Sequence, residues 1–248
     1  MTDSDALPTP LQRLDVEIGS VLAIVAHPDD LEYGAAAAVA AWTAAGHSVA
    51  YLLVTRGEAG IDGMPPDEAA RVREDEQRAS AAVVGVERVE FLDHADGIIE
   101  YGLPLRRDLA AAIRRRRPDT LLLFNHREGW GMPGSFNSPD HRNVGWAALE
   151  AAGDAGNRWV FRDLVVRQGL MPHKVKAALV AGSPQATHGL DVTATVDKAI
   201  ESLRAHSAYL EGLGDHPMSD PELVRVFLEQ AGLRLGVGAA VGFEVFRF

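Results

Sequence analysis

Val21-Leu22-Ala23-Ile24-Val25-Ala26-His27-Pro28-Asp29-Asp30 is the stretch from which the rest of the chain can be read. An apolar run, short, rich in β-branched residues and bounded by a proline, has the pattern of a buried strand. The Ala-rich segment 31–45 that follows reads as a helix, closed by Gly46. One imidazole and two carboxylates therefore fall where a central strand hands over to a helix. In open α/β sheets that carboxyl edge is where sites form. His27 and Asp30 lie three residues apart and point the same way from a first helical turn. Asp29 points elsewhere, toward whatever the other two hold, which is the layout of a metal site with a separate base beside it.

Working outward, 47–55 alternates and is rich in Val and Leu, a second strand. Residues 56–66 hold three glycines and two prolines and form a loop. Helices are expected over 67–84 and 104–117, and strands over 88–92 and 120–124. The segment 125–138 carries three glycines, Pro133, Trp130 and Phe136; a loop that long within a compact domain is usually functional or mobile. A helix restarts over 139–152, a strand follows over 176–180, then helices over 193–209 and 221–233 and a strand over 242–248. Strands and helices alternate almost throughout, which predicts an α/β fold: a Rossmann-like, mainly parallel sheet with helices on both faces. Residues 1–17 read as a flexible leader, and 18–248 as a single domain.

At 248 residues the chain can bury one large core, and 47% hydrophobic residues is ordinary for a soluble globular protein. No apolar stretch reaches the length needed to cross a bilayer. Residues 1–15 carry acids and prolines without an apolar segment, so no secretory signal is expected, and a cytoplasmic location is. With no cysteine, any metal must be held by nitrogen and oxygen. A net charge of −11 argues against nucleic acid as a partner. The one basic run, Arg114 to Arg117, ends a predicted helix before Pro118, where cations suit the helix dipole and stay solvated. His47, His173 and His216 read as surface or turn residues. The partner that remains is a polar small molecule.

His27 and Asp30 lack a third protein ligand, and the best supply is Ser138-Pro139-Asp140-His141-Arg142. Pro139 fits the first helical position with Ser138 as its cap, which puts His141 in a first turn on the C-terminal side of a strand. Two nitrogens, one carboxylate and an open fourth position describe a hydrolytic zinc site. Zinc acidifies bound water and polarises a carbonyl, and Asp29 is placed to take a proton from that water and pass it to a leaving amine.

These residues resemble the PIG-L/LmbE-like zinc-dependent N-deacetylases. Ala26 to Asp30 matches the family's Ala-His-Pro-Asp-Asp segment, and Pro139 to Arg142 its Pro-Asp-His-Arg. The likeness extends through Thr55-Arg56-Gly57-Glu58, the helix with Arg73 and Glu76, Asp96-Gly97, Gly182-Ser183-Pro184, Asp191-Val192-Thr193 and Arg204-Ala205-His206. It implies His27, Asp30 and His141 as zinc ligands, Asp29 as general base and Asp140 as the acid behind the ligands. Arg73, and Arg56 in its motif, are implied at the sugar. The implied substrate is an amino-sugar-containing small molecule that loses an acetyl or similar acyl group, and the implied assembly is a homo-oligomer, often trimeric or hexameric. Members most often have His where this chain has Ser138. A hydroxyl cannot carry a positive charge at neutral pH, and losing one oxyanion donor typically costs about 100- to 1000-fold in rate. Either another residue takes over that role, with His126, His206 and His188 as the candidates, or the enzyme is slow, or the chain is not an enzyme. The alternatives are a non-catalytic metal- and sugar-binding relative, or an amidase acting on a thiol conjugate or other metabolite. Glu58 is expected to fix the loop after the second strand; Trp130 and Phe136 either pack locally or stack on sugar faces.

Overall fold

The chain, described over residues 9–248 in a computed structural model, begins with a two-residue strand, β1 (Gln12–Arg13), followed by β2 (Val21–Val25). All five residues of β2 are buried. They alternate between two cores: Val21, Ala23 and Val25 face one, Leu22 and Ile24 the other. A strand buried on both faces belongs in the middle of a parallel sheet. After α1 (Asp30–Gly34) and α2 (Ala36–Ala44) come β3 (Val49–Leu53), α3 (Pro66–Val83), β4 (Arg88–Phe91), α4 (Leu103–Arg116) and β5 (Thr120–Phe124). Then follow α5 (Pro139–Gly156), α6 (Arg162–Val166), β6 (Ala177–Ala181), β7 (His188–Asp191), α7 (Val196–Arg204), α8 (Ser207–Gly212), α9 (Leu223–Leu235) and β8 (Ala240–Arg247).

The eight strands form one sheet in the order β1-β7-β8-β6-β5-β2-β3-β4. All pairs are parallel except those of β8, which runs antiparallel between β6 and β7. Chain direction across the sheet reverses between β2 and β5: β2 proceeds outward to β3, and β5 lies on its other side with Leu22 opposite Leu121. That is the topological switch point, where loops leaving adjacent strands diverge and open a crevice. Residues of α2, α7 and α9 share the core under one sheet face, and residues of α4 and α5 the core under the other.

Four expectations need correction. The segment 31–45 is not one helix: Ala35, at φ −147 and ψ −1, breaks it after Gly34, the weakest helix former there. A Cβ on Gly34 would meet the Phe124 ring, so the glycine is what lets α1 lie against β5. The segment 193–209 is likewise divided, into a 3-10 turn at Thr193–Thr195, α7 and α8, with 205–206 between the two helices. The leader is not wholly loose. Residues 1–8 lie outside the described range, but Gln12 and Arg13 pair with His188 and Gly189, anchored by buried Leu11. Finally, Arg114 is not solvated. It is 2% exposed, and its guanidinium donates to the carbonyls of Ala155, Asp154, Asn157 and Val160 at 2.7–3.1 Å, closing the end of α5.

Candidate active site

Proline at position 28 ends β2, and the chain reverses through Asp29, whose backbone sits at φ 97 and ψ −25. Few non-glycine residues adopt that left-handed conformation, and here it starts α1 at Asp30. The Asp30 carboxylate folds back, and its Oδ2 accepts from the backbone N–H groups of Ala26 and His27, both at 3.0 Å. Its Oδ1 is thereby aimed outward, 2.9 Å from His141 Nε2 and 3.8 Å from His27 Nδ1. His141 arrives from across the switch point, in the first turn of α5. Pro139 occupies the opening position of that helix, and the Ser138 hydroxyl oxygen accepts from Asp140 N at 3.1 Å as its cap.

What lies behind each imidazole decides which nitrogen faces the cluster. His141 Nδ1 is 2.8 Å from Asn137 Oδ1, and the Asn137 amide is itself fixed by donating to Asn125 O and Arg127 O. His27 Nε2 is 3.1 Å from Asp96 Oδ1 and 3.3 Å from Asp140 Oδ2. Asp140 is anchored in turn by the N–H groups of Gly97 and Ile99, and Asp96 by those reaching it from Ala59. With those ring N–H groups committed, His27 Nδ1 and His141 Nε2 turn lone pairs toward each other at 3.2 Å. Two lone pairs and a carboxylate oxygen, all within 4.8 Å, repel one another unless a cation sits among them. The donor set of two imidazoles and one carboxylate fits a divalent transition metal such as zinc.

Charges respond to this crowding. In the metal-free protein a proton on His27 fills the place of the cation: burial pushes its pKa down, but the carboxylates of Asp140, Asp30 and Asp96 outweigh that and hold it well above the ordinary value. A bound metal would take that proton's place on Nδ1. Burial pushes the Asp30 carboxyl up, and His141 and His27 together bring it far below the usual carboxylate range. Asp29 goes the other way: burial raises its pKa, and the nearby Arg73 charge offsets only part of that rise.

His27, Asp30, Asp140 and His141, expected together from the sequence, are brought together, whereas the carboxylate of Asp29, next to them in the chain, meets Arg73 Nη2 at 3.4 Å. The remaining expected residues are placed differently. Arg73 does not present its guanidinium to an open site: it is 2% exposed, lies over the Tyr209 ring at 4.2 Å, and donates to Gly57 O at 2.9 Å and Pro28 O at 2.6 Å. Arg56 ties the loop after β3 to Glu74 and Asp93. His126 is buried against Trp146, 4.8 Å between ring centroids, and burial beside Arg127 pushes its pKa down to about 4. His206 is fully buried, 3.6 Å from Glu32. His188 pairs with Asp15 on β7, at the other side of the sheet. Thus none of the three candidate histidines joins the cluster to stand in at Ser138.

Trp130 packs its ring 6.0 Å from that of His141, whereas Phe136 is exposed under Arg142. Glu58 accepts from the N–H groups of Arg56 and Asp96, fixing its loop as expected. Sequence reasoning did not single out Asn137 or assign a role to Asp96. The signal for Asn137 was its place four residues before His141, and for Asp96 the Asp-Gly pair after a strand.

Comparison with known proteins agrees with this geometry. Residues 22–152 match the PIG-L family, described as GlcNAc-PI de-N-acetylase. The diacetylchitobiose deacetylase of Thermococcus kodakarensis is 30% identical over 211 residues, covering 80% of this chain and 75% of the relative. In structure, N,N'-diacetylchitobiose deacetylase from Pyrococcus horikoshii superposes with a TM-score of 0.82 at 23% identity, over 93% of this chain and 85% of the other. The 4-carboxy-2-hydroxymuconate hydratase of Pseudomonas putida shares the fold too, with a TM-score of 0.72 at 20% identity, covering 92% and 96%. A hydratase and deacetylases on one scaffold mean that the fold alone does not choose the reaction. Family membership rests instead on the matched stretch, which contains both halves of the cluster: this chain belongs to the PIG-L de-N-acetylase family.

Proposed function

We propose that the protein is a zinc-dependent amidohydrolase that removes an N-acetyl group from a small molecule containing N-acetylglucosamine. One observation carries this reading: His27 Nδ1, Asp30 Oδ1 and His141 Nε2 converge within 4.8 Å, with the carboxylate of Asp29 on the neighbouring residue. His27, Asp30 and His141 would hold the metal. Zinc bound there supplies Lewis acidity that polarises the acyl oxygen and acidifies water. Asp29 takes the proton from the water that adds to the acyl carbon, then returns it to the amine nitrogen as the carbon–nitrogen bond breaks. Acetate and a free amino sugar result. The raised pKa of Asp29 suits both halves of that transfer.

Asp140 acts through His27, holding its Nε2–H so that Nδ1 faces inward. Ser138 serves the helix cap, and Trp130 forms an apolar wall on which a sugar face stacks. The amino-sugar part of the proposal is supported by the family, GlcNAc-PI de-N-acetylase, and by the Thermococcus relative, a diacetylchitobiose deacetylase. No described helix is long and apolar enough to cross a membrane, and a cytoplasmic location, where the cysteine-free composition is at home, is part of the proposal. Self-association belongs to it as well, supported by exposed Ile98, Tyr101 and Leu103 next to the loop that anchors Asp140; a monomer mass by light scattering removes that part.

The test is primary-amine release from N-acetylglucosamine and N,N'-diacetylchitobiose by zinc-loaded protein, with and without chelator. Release that chelator abolishes and zinc restores is expected. Chelator-resistant release, or none from either sugar, contradicts the proposal.

A further inference from the structure

Behind the cluster, in a core otherwise built of apolar and aromatic side chains, lies a set of polar side chains that the chemistry above leaves unused. Glu32, Gln77, Ser80, Ser202 and His206 are each at most 1% exposed. Burying such groups is costly unless they are joined to something. Gln77 Nε2 donates to Glu32 Oε1 at 2.9 Å, and Ser80 Oγ donates to the same oxygen at 2.6 Å. Ser80 meets Ser202 at 2.7 Å, and His206 stands 3.6 Å from the other Glu32 oxygen.

The other end of Gln77 leads to the site. Its Oε1 accepts from the Asp29 N–H at 3.1 Å. One turn earlier on α3, Arg73 Nη2 donates to Pro28 O. The carbonyl and the N–H of a single peptide, the one entering the left-handed residue, are thus gripped at its two ends by side chains four residues apart on one helix. Helix α1 has only five residues. It holds the carbonyl side of Asp29, through the Tyr33 N–H at 3.1 Å, and Arg73 Nη2 lies 3.4 Å from the Asp29 carboxylate, while the N–H side that sets φ is held from α3 by Gln77. We infer that Gln77, anchored by Glu32, is a positioning residue: it keeps the Asp29 backbone left-handed and thereby aims the Asp29 carboxylate. The inference rests on Asp29 being the general base.

The metal ligands do not depend on this brace, since Asp30 is held by Ala26 and His27 amides. Gln77→Leu, in zinc-loaded protein, should therefore lower kcat about 100-fold, the scale of a misaimed catalytic group, with KM and zinc content within twofold of wild type. Gln77→Glu sets two buried carboxylates against each other and should fall similarly. Adding Glu32→Gln to it restores the pair with the amide donating from position 32, and kcat should recover to within about fivefold of wild type. This exchange also decides the matter if Gln77→Leu does not fold. Asp29→Asn is assayed alongside. Wild-type kcat in Gln77→Leu with an inactive Asp29→Asn overturns the inference and spares the base. Loss of kcat, KM and zinc together, without recovery in the exchange, overturns it also, as does an active Asp29→Asn, which removes the base itself.

Discussion

Asp29 and Asp30 are neighbours in sequence and opposites in circumstance. Asp30 accepts two backbone N–H groups and faces two imidazoles, so it stays ionised. Asp29 is buried beside the Asp30 charge, and the Arg73 guanidinium 3.4 Å away offsets only part of the effect, so its proton affinity rises. The left-handed backbone between them, which costs on the order of 1–3 kcal/mol in a non-glycine residue, is what turns the two carboxylates apart. Asn137, in the loop that leads into α5, makes the corresponding contribution on the other side of the switch point by holding His141 Nδ1. Asn137→Ala should weaken zinc binding about 10- to 100-fold, read by competition with a chromogenic chelator. An unchanged affinity would mean that α5 alone orients His141.

At the scale of elements, the loop after β3 and α3 are fitted to each other. Gly57 has φ 67, and a Cβ there would run into the Arg73 guanidinium. Gly57→Ala should destabilise the protein by about 1–3 kcal/mol, seen as a lower melting temperature; equal stability would show that the loop can shift. Arg114 closes α5 with four main-chain hydrogen bonds from a buried charge, and Arg114→Met should cost about 3 kcal/mol in denaturant unfolding. Both positions bear on what was legible beforehand. The strands β2 and β5 were readable because residues buried on both faces leave uninterrupted apolar runs, and β3 from its alternation and its Val and Leu content. His27, Asp30 and His141 were readable because each stands at a strand-to-helix handover. Strand β7 was not: His188-Gly189-Leu190-Asp191 has no apolar run, and its partners are β8, 49 to 55 residues further on, and β1, more than 170 residues earlier. Nor was the inward turn of Arg73 and Arg114, since sequence position says nothing about which carbonyls a guanidinium will find. The same blindness covers Gln77 and His126, whose surroundings come from distant segments.

For the molecule as a whole, stability should depend on metal and on pH. Zinc at a free concentration of about 100 times its Kd adds about 2.7 kcal/mol, or roughly 5–10 °C in melting temperature for a chain of this size. A melting temperature indifferent to chelator contradicts the site. His126 gives a pH dependence of known sign. Its folded pKa, about 4, lies below the ordinary 6.5, so the unfolded chain binds the proton more readily. The stability tied to its neutral form is complete above about pH 6.5 and is lost as pH falls from there toward 4, on the order of 3 kcal/mol across the window. His126→Phe should flatten that slope in chelator-treated protein; an unchanged slope assigns it to other groups.

Everything here turns on a metal held by His27, Asp30 and His141 with Asp29 as a base that is not a ligand. The most direct measurement places Asp29→Asn beside wild type, with zinc content and amine release determined on the same samples. Equal zinc, with amine release reduced at least about 100-fold, is the predicted result. Equal zinc with near-wild-type release would remove Asp29 from the chemistry, and loss of zinc would make it a ligand; either contradicts the account.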